Sequence, residues 1–236
     1  MSKNDKQLGK QVNEYLAELG IHTPVVQDRL EVSSATKIKK ISELYKEIME
    51  VMGLDLNDDS LQDTPNRVAK MYVNEIMSGL VDDTFPKCTT VENKFTNFDS
   101  EDGDDIIVVK NITGYSLCEH HAKDIIPSQT KTGGFHIGYI PVKGGKVLGL
   151  SKLNRIVQYF CQRPQVQERL TQQILHTIKF VSGCEDVIVA ADLVHMCVAS
   201  RGIKDTLSST VTIATSGRFA EKNSELRKEF MSNINS

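Results

Sequence analysis

The hydrophobic pattern of this 236-residue chain changes period near residue 85. Before that point, apolar residues recur at helical spacing. In "KIKKISELYKEIMEVM" (37–52) these are Ile38, Ile41, Leu44, Tyr45, Ile48 and Met52, and Gly53 is a fitting stop. Residues 4–19 read as a weakly amphipathic helix. "QDTPNRVAKMYVNEIMSGL" opens with Thr64 as N-cap and Pro65 at the first helical position, and stops near Gly79. Beyond residue 85, "KCTTVENKF", "DIIVVKNITGYSL" and "FHIGYIP" have strand length and are rich in β-branched and aromatic residues, with "DSEDGDD" as an acidic, turn-forming loop. Two helices follow. One runs from Ser151 with Leu153, Ile156, Val157 and Phe160 on one face. The other starts near Pro164 with Val166, Leu170, Ile174, Ile178 and Val181 inward. "DVIVAADLVHMCVAS" and "TLSSTVTIATSGRF" then read as two long strands that pair, and a charged helix, "EKNSELRKEF", closes the chain. The order predicts a helical N-terminal region, 1–85, and an α+β domain, 86–236.

Charge and cysteine usage narrow the function classes. A net charge of −3 argues against a general nucleic-acid or membrane-surface binder, and no apolar run is long enough to span a bilayer. The N-terminus lacks the apolar core of a secretory signal. The five cysteines are odd in number and widely spread, which favours reduced thiols in a cytoplasmic setting over a disulfide framework.

Four chemically active side chains stand together in "SLCEHH", Cys118 to His121. Cys118 and His121 have Cys-x-x-His spacing, which lets two ligands from one turn reach one ion. Alone this is equally a buried thiol beside a surface histidine. A second pair lies in "LVHMCVA". On a strand, His195 and Cys197 would share a face with Val187, Val189, Ala191 and Leu193. They could be a satisfied core pair, or one ligand and one acid–base group beside a metal. Two such pairs in one reduced protein favour the metal. Three protein ligands with an open position define a catalytic zinc site, and Cys118, His121 and Cys197 make the better three. His120 and His195 would then be free for proton transfer near neutral pH. The His-Glu-x-x-His metalloprotease pattern is absent, as is the Pro-Cys-x-x-Cys of nucleobase deaminases.

Cations appear at places where an anion would resolve a conflict. Ser151 begins a helix whose free N–H groups and dipole favour an anion, yet Lys152 and Arg155 occupy that end. Arg67 and Lys70 are also three apart on an earlier helix, and Arg201 follows the Cys197 segment. They are scattered, and only a fold could gather them. Gln167 and Glu168 should point away from the apolar face of their helix. A carboxylate there offers two parallel acceptors, which match the adjacent N1–H and N2–H donors of guanine.

"LCEHH", "HIGYIP", "VLGLSKLNRIV", "RPQVQERLTQQI" and "HMCVASRGI", in this order, closely resemble the zinc-dependent GTP cyclohydrolase I family, and "DTPNRVAKMYVNEI" resembles its N-terminal helix motif. The resemblance covers roughly residues 37–232. It implies zinc on Cys118, His121 and Cys197, and catalytic roles for His120 and His195. It implies guanine anchored by Glu168 with help from Gln167. Ser151, Lys152, Arg155, Arg201, Arg67 and Lys70 match positions that hold the triphosphate, some from a neighbouring subunit. The implied fold is the tunnelling fold, an antiparallel sheet with two packed helices whose strands close a barrel across subunits. The implied assembly is a homodecamer of two pentameric rings. The implied reaction takes GTP and water to 7,8-dihydroneopterin triphosphate and formate, a first step of pterin and folate synthesis. In it, His195 would protonate N7, and His120 would move protons near the ribose.

One segment departs from the pattern. "AKDIIPSQTKTGG" is about six residues longer than the family's connection, a length a surface loop absorbs at small entropic cost. It leaves the geometry of the hairpin beside the zinc, and of the pocket rim, open. Glu119 could orient a histidine or be structural. Two other readings are a non-catalytic tunnelling-fold protein with structural zinc and a same-fold enzyme acting on another purine or pterin. The full set of phosphate positions favours GTP.

Overall fold

A short polar cap starts the first helix. Asp5 accepts a hydrogen bond from the Leu8 N–H at 3.0 Å, and α1 (Lys6–Glu18) follows. The computed structural model describes residues 3–93, 105–142 and 144–236. The acidic loop expected at 99–105 lies outside the described residues except for Asp105. Val12 and Leu16, four apart on α1, are buried in the main core. Gly9 lets the helix approach closely, since a Cβ there would meet the Phe85 Cβ at 2.6 Å. A short α2 (Gln27–Leu30) leads to α3 (Ser34–Val51), capped by Ser33 on the Thr36 N–H. Only Met49 of α3 is buried. Leu44, Ile48 and Met52 of the expected stripe are exposed, at 45%, 55% and 72%. The next helix, α4 (Thr64–Met71), starts one residue earlier than expected. Asp63 is the N-cap residue, and its carboxylate pairs with Arg67. It runs into a π-helical turn, Tyr72–Ile76, instead of continuing as α-helix to Gly79.

Beyond residue 85 the chain builds sheets. They comprise β1 (Thr90–Glu92), β2 (Ile107–Ile112), β3 (Ser116–Cys118), β4 (Lys123–Pro127), β5 (Gly134–Tyr139) and β6 (Lys146–Leu148). The helix α5 (Leu150–Cys161) leads to β7 (Pro164–Gln165) and α6 (Gln167–Ser182), and then come β8 (Val187–His195), α7 (Met196–Ala199), β9 (Thr210–Thr215) and α8 (Glu225–Asn235). The main sheet has the order β2-β5-β8-β4-β3-β7, with β9 on the other side of β8. Its pairings are antiparallel except β3 with β7. The chain is thus a mixed α+β protein, and the two long strands pair as expected, Ile188 with Thr215 through Leu193 with Thr210.

Strand alternation sorts the core into two sides. Val187, Val189, Ala191 and Leu193 of β8 join Leu153, Ile156, Val157 and Phe160 of α5 and Leu170, Ile174 and Ile178 of α6 in one cluster. Ile188 and Ala190 face the opposite way and are covered by Phe219, Phe230 and Ile234. The left-handed Gly183 (φ 72°) ends α6 with its N–H on Lys179 O. No helix among the described residues is long and apolar enough to cross a membrane.

The long connection after His121 resolves into strand and turn. β4 pairs with β3 and, through Ile125–Pro127, with Leu193–His195 of β8. The turn at its far end is pinned by two groups. Thr130 and Thr132 hydroxyls each donate to Asp192 at 2.8 Å. His136, buried in β5, lies 2.9 Å from Thr132 O through Nε2, and its Nδ1 accepts from the Asn111 N–H. Beside Cys118 the β3–β4 ladder is regular.

Burial pushes the His136 pKa down, against the Thr132 carbonyl and Asp192, and burial lowers His176 likewise. The unfolded imidazoles take up protons first as pH falls below about 6.5. Their contribution to stability is thus complete above that pH and is lost as pH falls toward the folded values. Urea melts should show a lower midpoint at pH 5.5 than at pH 7.5, and the difference should shrink in His136→Gln.

Candidate metal centre

A two-residue strand decides how the site is assembled. The helix expected to begin near Pro164 starts only at Gln167, because Pro164–Gln165 add as β7 to β3, Leu117 opposite Pro164 and Cys118 opposite Gln165. This brings the first turn of α6 beside Cys118. The chain then reverses through residues 119–122, where the Ala122 N–H bonds Cys118 O at 2.9 Å and Ala122 takes a left-handed φ of 48°. His120 and His121 sit on this exposed turn, and His120 Nδ1 is 3.8 Å from Cys118 Sγ.

The second pair arrives differently from the strand alternation expected. β8 ends at His195, opposite Ile125, and residues 196–199 coil into α7. The β4–β8 ladder stops at this pair although β4 continues back to Lys123, and the Ser200 N–H and hydroxyl both bond Met196 O. Cys197 therefore lies on a helical turn instead of the strand face, and its Sγ comes within 3.7 Å of Cys118 Sγ. Ligand atoms of Cys118, His195 and Cys197 all lie within 4.8 Å of one another. His121 is outside this group, three residues from Cys118 in the same turn. Two thiols with imidazoles at hand form a borderline-soft donor set of the kind zinc takes.

The local electrostatics suit a cation. Burial and the adjacent Cys118 thiol push the Cys197 thiol up, while the Arg201 charge pulls it down. A bound divalent ion would reverse the balance and favour both thiolates. Burial lowers the His195 pKa, opposed by the Glu168 carboxylate and reinforced by His120. Glu168 is exposed in the first turn of α6, where the helix dipole favours its charge.

Gln167, expected to point away from the core, is instead buried at 1% exposure, with its side-chain oxygen 2.8 Å from His195 Nε2. Glu119, unassigned from sequence, forms an ion pair with Arg169, fifty positions on, and its N–H bonds Gln165 O. Gln165 Oε1 also accepts from Arg169 Nε. The pair ties the Cys118–His121 turn to the start of α6. Glu119→Gln is expected to weaken metal affinity by roughly tenfold, the scale for supporting groups around a metal. Competition with a chromophoric chelator would read the change, with thermal stability nearly unaltered.

The cations are only partly gathered. Arg201 lies near Cys197. Ser151 and Lys152 occupy the opposite end of α5 from the residues that lead into β7, roughly 15 Å along its axis at 1.5 Å per residue, with Arg155 about a turn nearer. Lys152 instead neighbours Cys88, whose thiol burial pushes up to about 11. Arg67 and Lys70 are exposed on α4.

Known proteins match this arrangement along nearly its whole length. The family model described as GTP cyclohydrolase I matches residues 41–235. "GTP cyclohydrolase 1" of Aliivibrio fischeri (strain MJ11) is 45% identical over 223 residues, covering 94% of this chain and 95% of that protein. The protein of the same name from Shewanella loihica is 46% identical, covering 95% and 97%. That from Flavobacterium johnsoniae is 44% identical, covering 89% and 87%. With the Cys118, Cys197 and His195 cluster falling inside the matched region, the chain belongs to the GTP cyclohydrolase I family.

Proposed function

We propose that this pocket opens the imidazole ring of the guanine of GTP with water, releasing formate and leaving 7,8-dihydroneopterin triphosphate. The observation that carries the reading is the meeting of Cys118, Cys197 and His195 beside the exposed Glu168 in a chain of this family. Cys118, His121 and Cys197 are the residues that would hold zinc. His121 belongs to the set by its place in the Cys118 turn. Zinc, when bound, supplies Lewis acidity that brings the pKa of water to about 7.

The chain's own residues do the rest. Glu168 accepts from N1–H and N2–H of guanine, with Gln167 supporting that wall from beneath. His195 holds a proton for N7, where charge develops as C8 is attacked. His120, on the exposed side of Cys118, moves protons at the ribose during ring opening and closure of the pterin. His120→Ser is expected to release formate yet build no pterin. A variant that leaves the imidazole ring of GTP intact would contradict that division.

Arg201, Ser151, Lys152, Arg155, Arg67 and Lys70 hold the triphosphate, drawn from more than one copy of the chain. The spread of Arg201 and the first turn of α5 within one chain supports this. The assembly in this reading is a homodecamer of two pentameric rings whose strands close a barrel. Among the described residues, β2 and β9 each pair on one side only, and α3 exposes an apolar stripe. Both suit burial against further copies. The setting is the cytoplasm, consistent with five free cysteines.

Zinc-loaded protein incubated with GTP should yield a product that oxidises to a fluorescent neopterin. Stoichiometric zinc with no product from any purine nucleotide would point to a structural metal, and faster turnover of another purine would move the substrate. Native mass spectrometry should read ten chains.

A further inference from the structure

Gln167 is the most fully engaged polar side chain around the site. Its Nε2 lies 2.8 Å from Thr210 O, 3.2 Å from Ala191 O and 3.2 Å from Thr212 Oγ1, and its Oε1 lies 2.8 Å from His195 Nε2. Two of these neighbours are backbone carbonyls, which only accept. Turning the carboxamide over would set its oxygen against both of them. The amide nitrogen must therefore face β8 and β9, and the oxygen must face the imidazole. An oxygen that only accepts needs a proton on His195 Nε2.

We propose that Gln167 is a positioning residue: its side-chain oxygen holds Nε2–H of His195, so that Nδ1 is the nitrogen that meets the reacting groups and, in the doubly protonated ring, carries the proton given to N7. The inference rests on the reading of this pocket as the place where the guanine ring is opened. It gives the Gln167 side chain no contact with guanine, and it separates the two adjacent residues at the start of α6. Glu168 faces the ligand and Gln167 faces the histidine. The anchorage is stiff. Gln167 is buried, and Thr212 is itself held at 2.7 Å by Thr171 of the same helix.

The test pairs kinetics with a direct view of the proton. In Gln167→Met, which keeps the length but cannot accept, kcat for GTP should fall about 10- to 100-fold, the range for groups that orient a working histidine. KM should stay within about twofold, and zinc content should match the parent. If Gln167→Met proves unstable, the neutron map of the parent protein still decides the matter. Neutron diffraction from the zinc-loaded parent exchanged into D2O should show deuterium on Nε2 of His195, pointing at Gln167. A raised KM with unchanged kcat, or deuterium on Nδ1 with a bare Nε2, would overturn the proposal. A parent protein that does not turn over GTP would overturn the functional reading instead, and the neutron map would still report on the tautomer.

Discussion

Cys197→Ala should leave the protein folded, nearly free of metal and without measurable turnover. Cys197 Sγ is one of two sulfur donors, 3.7 Å from the other, and it is half-buried on a four-residue helical turn. An alanine there supports the turn equally well, so the loss falls on the metal. Removing a thiolate from a three-ligand site leaves too few donors to retain zinc through dialysis. Zinc content should drop below about a tenth of an equivalent, and kcat should drop by roughly 10³-fold or more, the scale of losing the main electrostatic activation. Cys88→Ser is the matched control, because Cys88 lies outside the cluster and should keep its metal. Elemental analysis with circular dichroism separates the outcomes. A folded Cys197→Ala retaining one zinc per chain would remove Cys197 from the ligand set.

Glu168→Ala carries the second large effect. The carboxylate is exposed in the first turn of α6. Among the described residues it makes no hydrogen bond or ion pair that truncation would break, and its neighbour Gln167 does the buried work. Two charge-assisted hydrogen bonds to guanine, each about 1.5–3 kcal/mol, imply a fall in kcat/KM of roughly 10²- to 10⁴-fold. The signature is specificity. Inosine triphosphate lacks the exocyclic amine, so the parent should prefer GTP strongly, and Glu168→Ala should treat the two nearly alike. An alanine variant that keeps the full preference would show that guanine is read elsewhere.

Much of this organisation is legible in residue order, and the exceptions share a cause. The faces of α5 and α6 and the pairing of β8 with β9 follow from apolar periodicity, a local property. The Cys118 turn was visible as a spacing. What sequence periodicity misplaced depends on long-range pairing. Pro164–Gln165 became strand because Leu117–Cys118 offered a ladder, which a single-segment reading cannot see. Cys197 left the strand because residues 196–199 coil into a helical turn directly after the His195–Ile125 pair. Gln167 turned inward because the carbonyls of β8 and β9 need its donors. The Glu119–Arg169 pair joins positions with no local signal at all. The exposed half of the α3 stripe shows the converse: the periodicity is helical as read, yet Leu44, Ile48 and Met52 stay exposed.

The most direct measurement follows carbon 8 of guanine. Zinc-loaded protein incubated with GTP labelled with ¹³C at that carbon should release the label as formate, one per GTP consumed. The remaining product should oxidise to an unlabelled, fluorescent neopterin triphosphate. Label retained in the purine or pterin, or no formate from fully assembled and zinc-replete protein, would contradict the assignment of this pocket to opening the guanine ring.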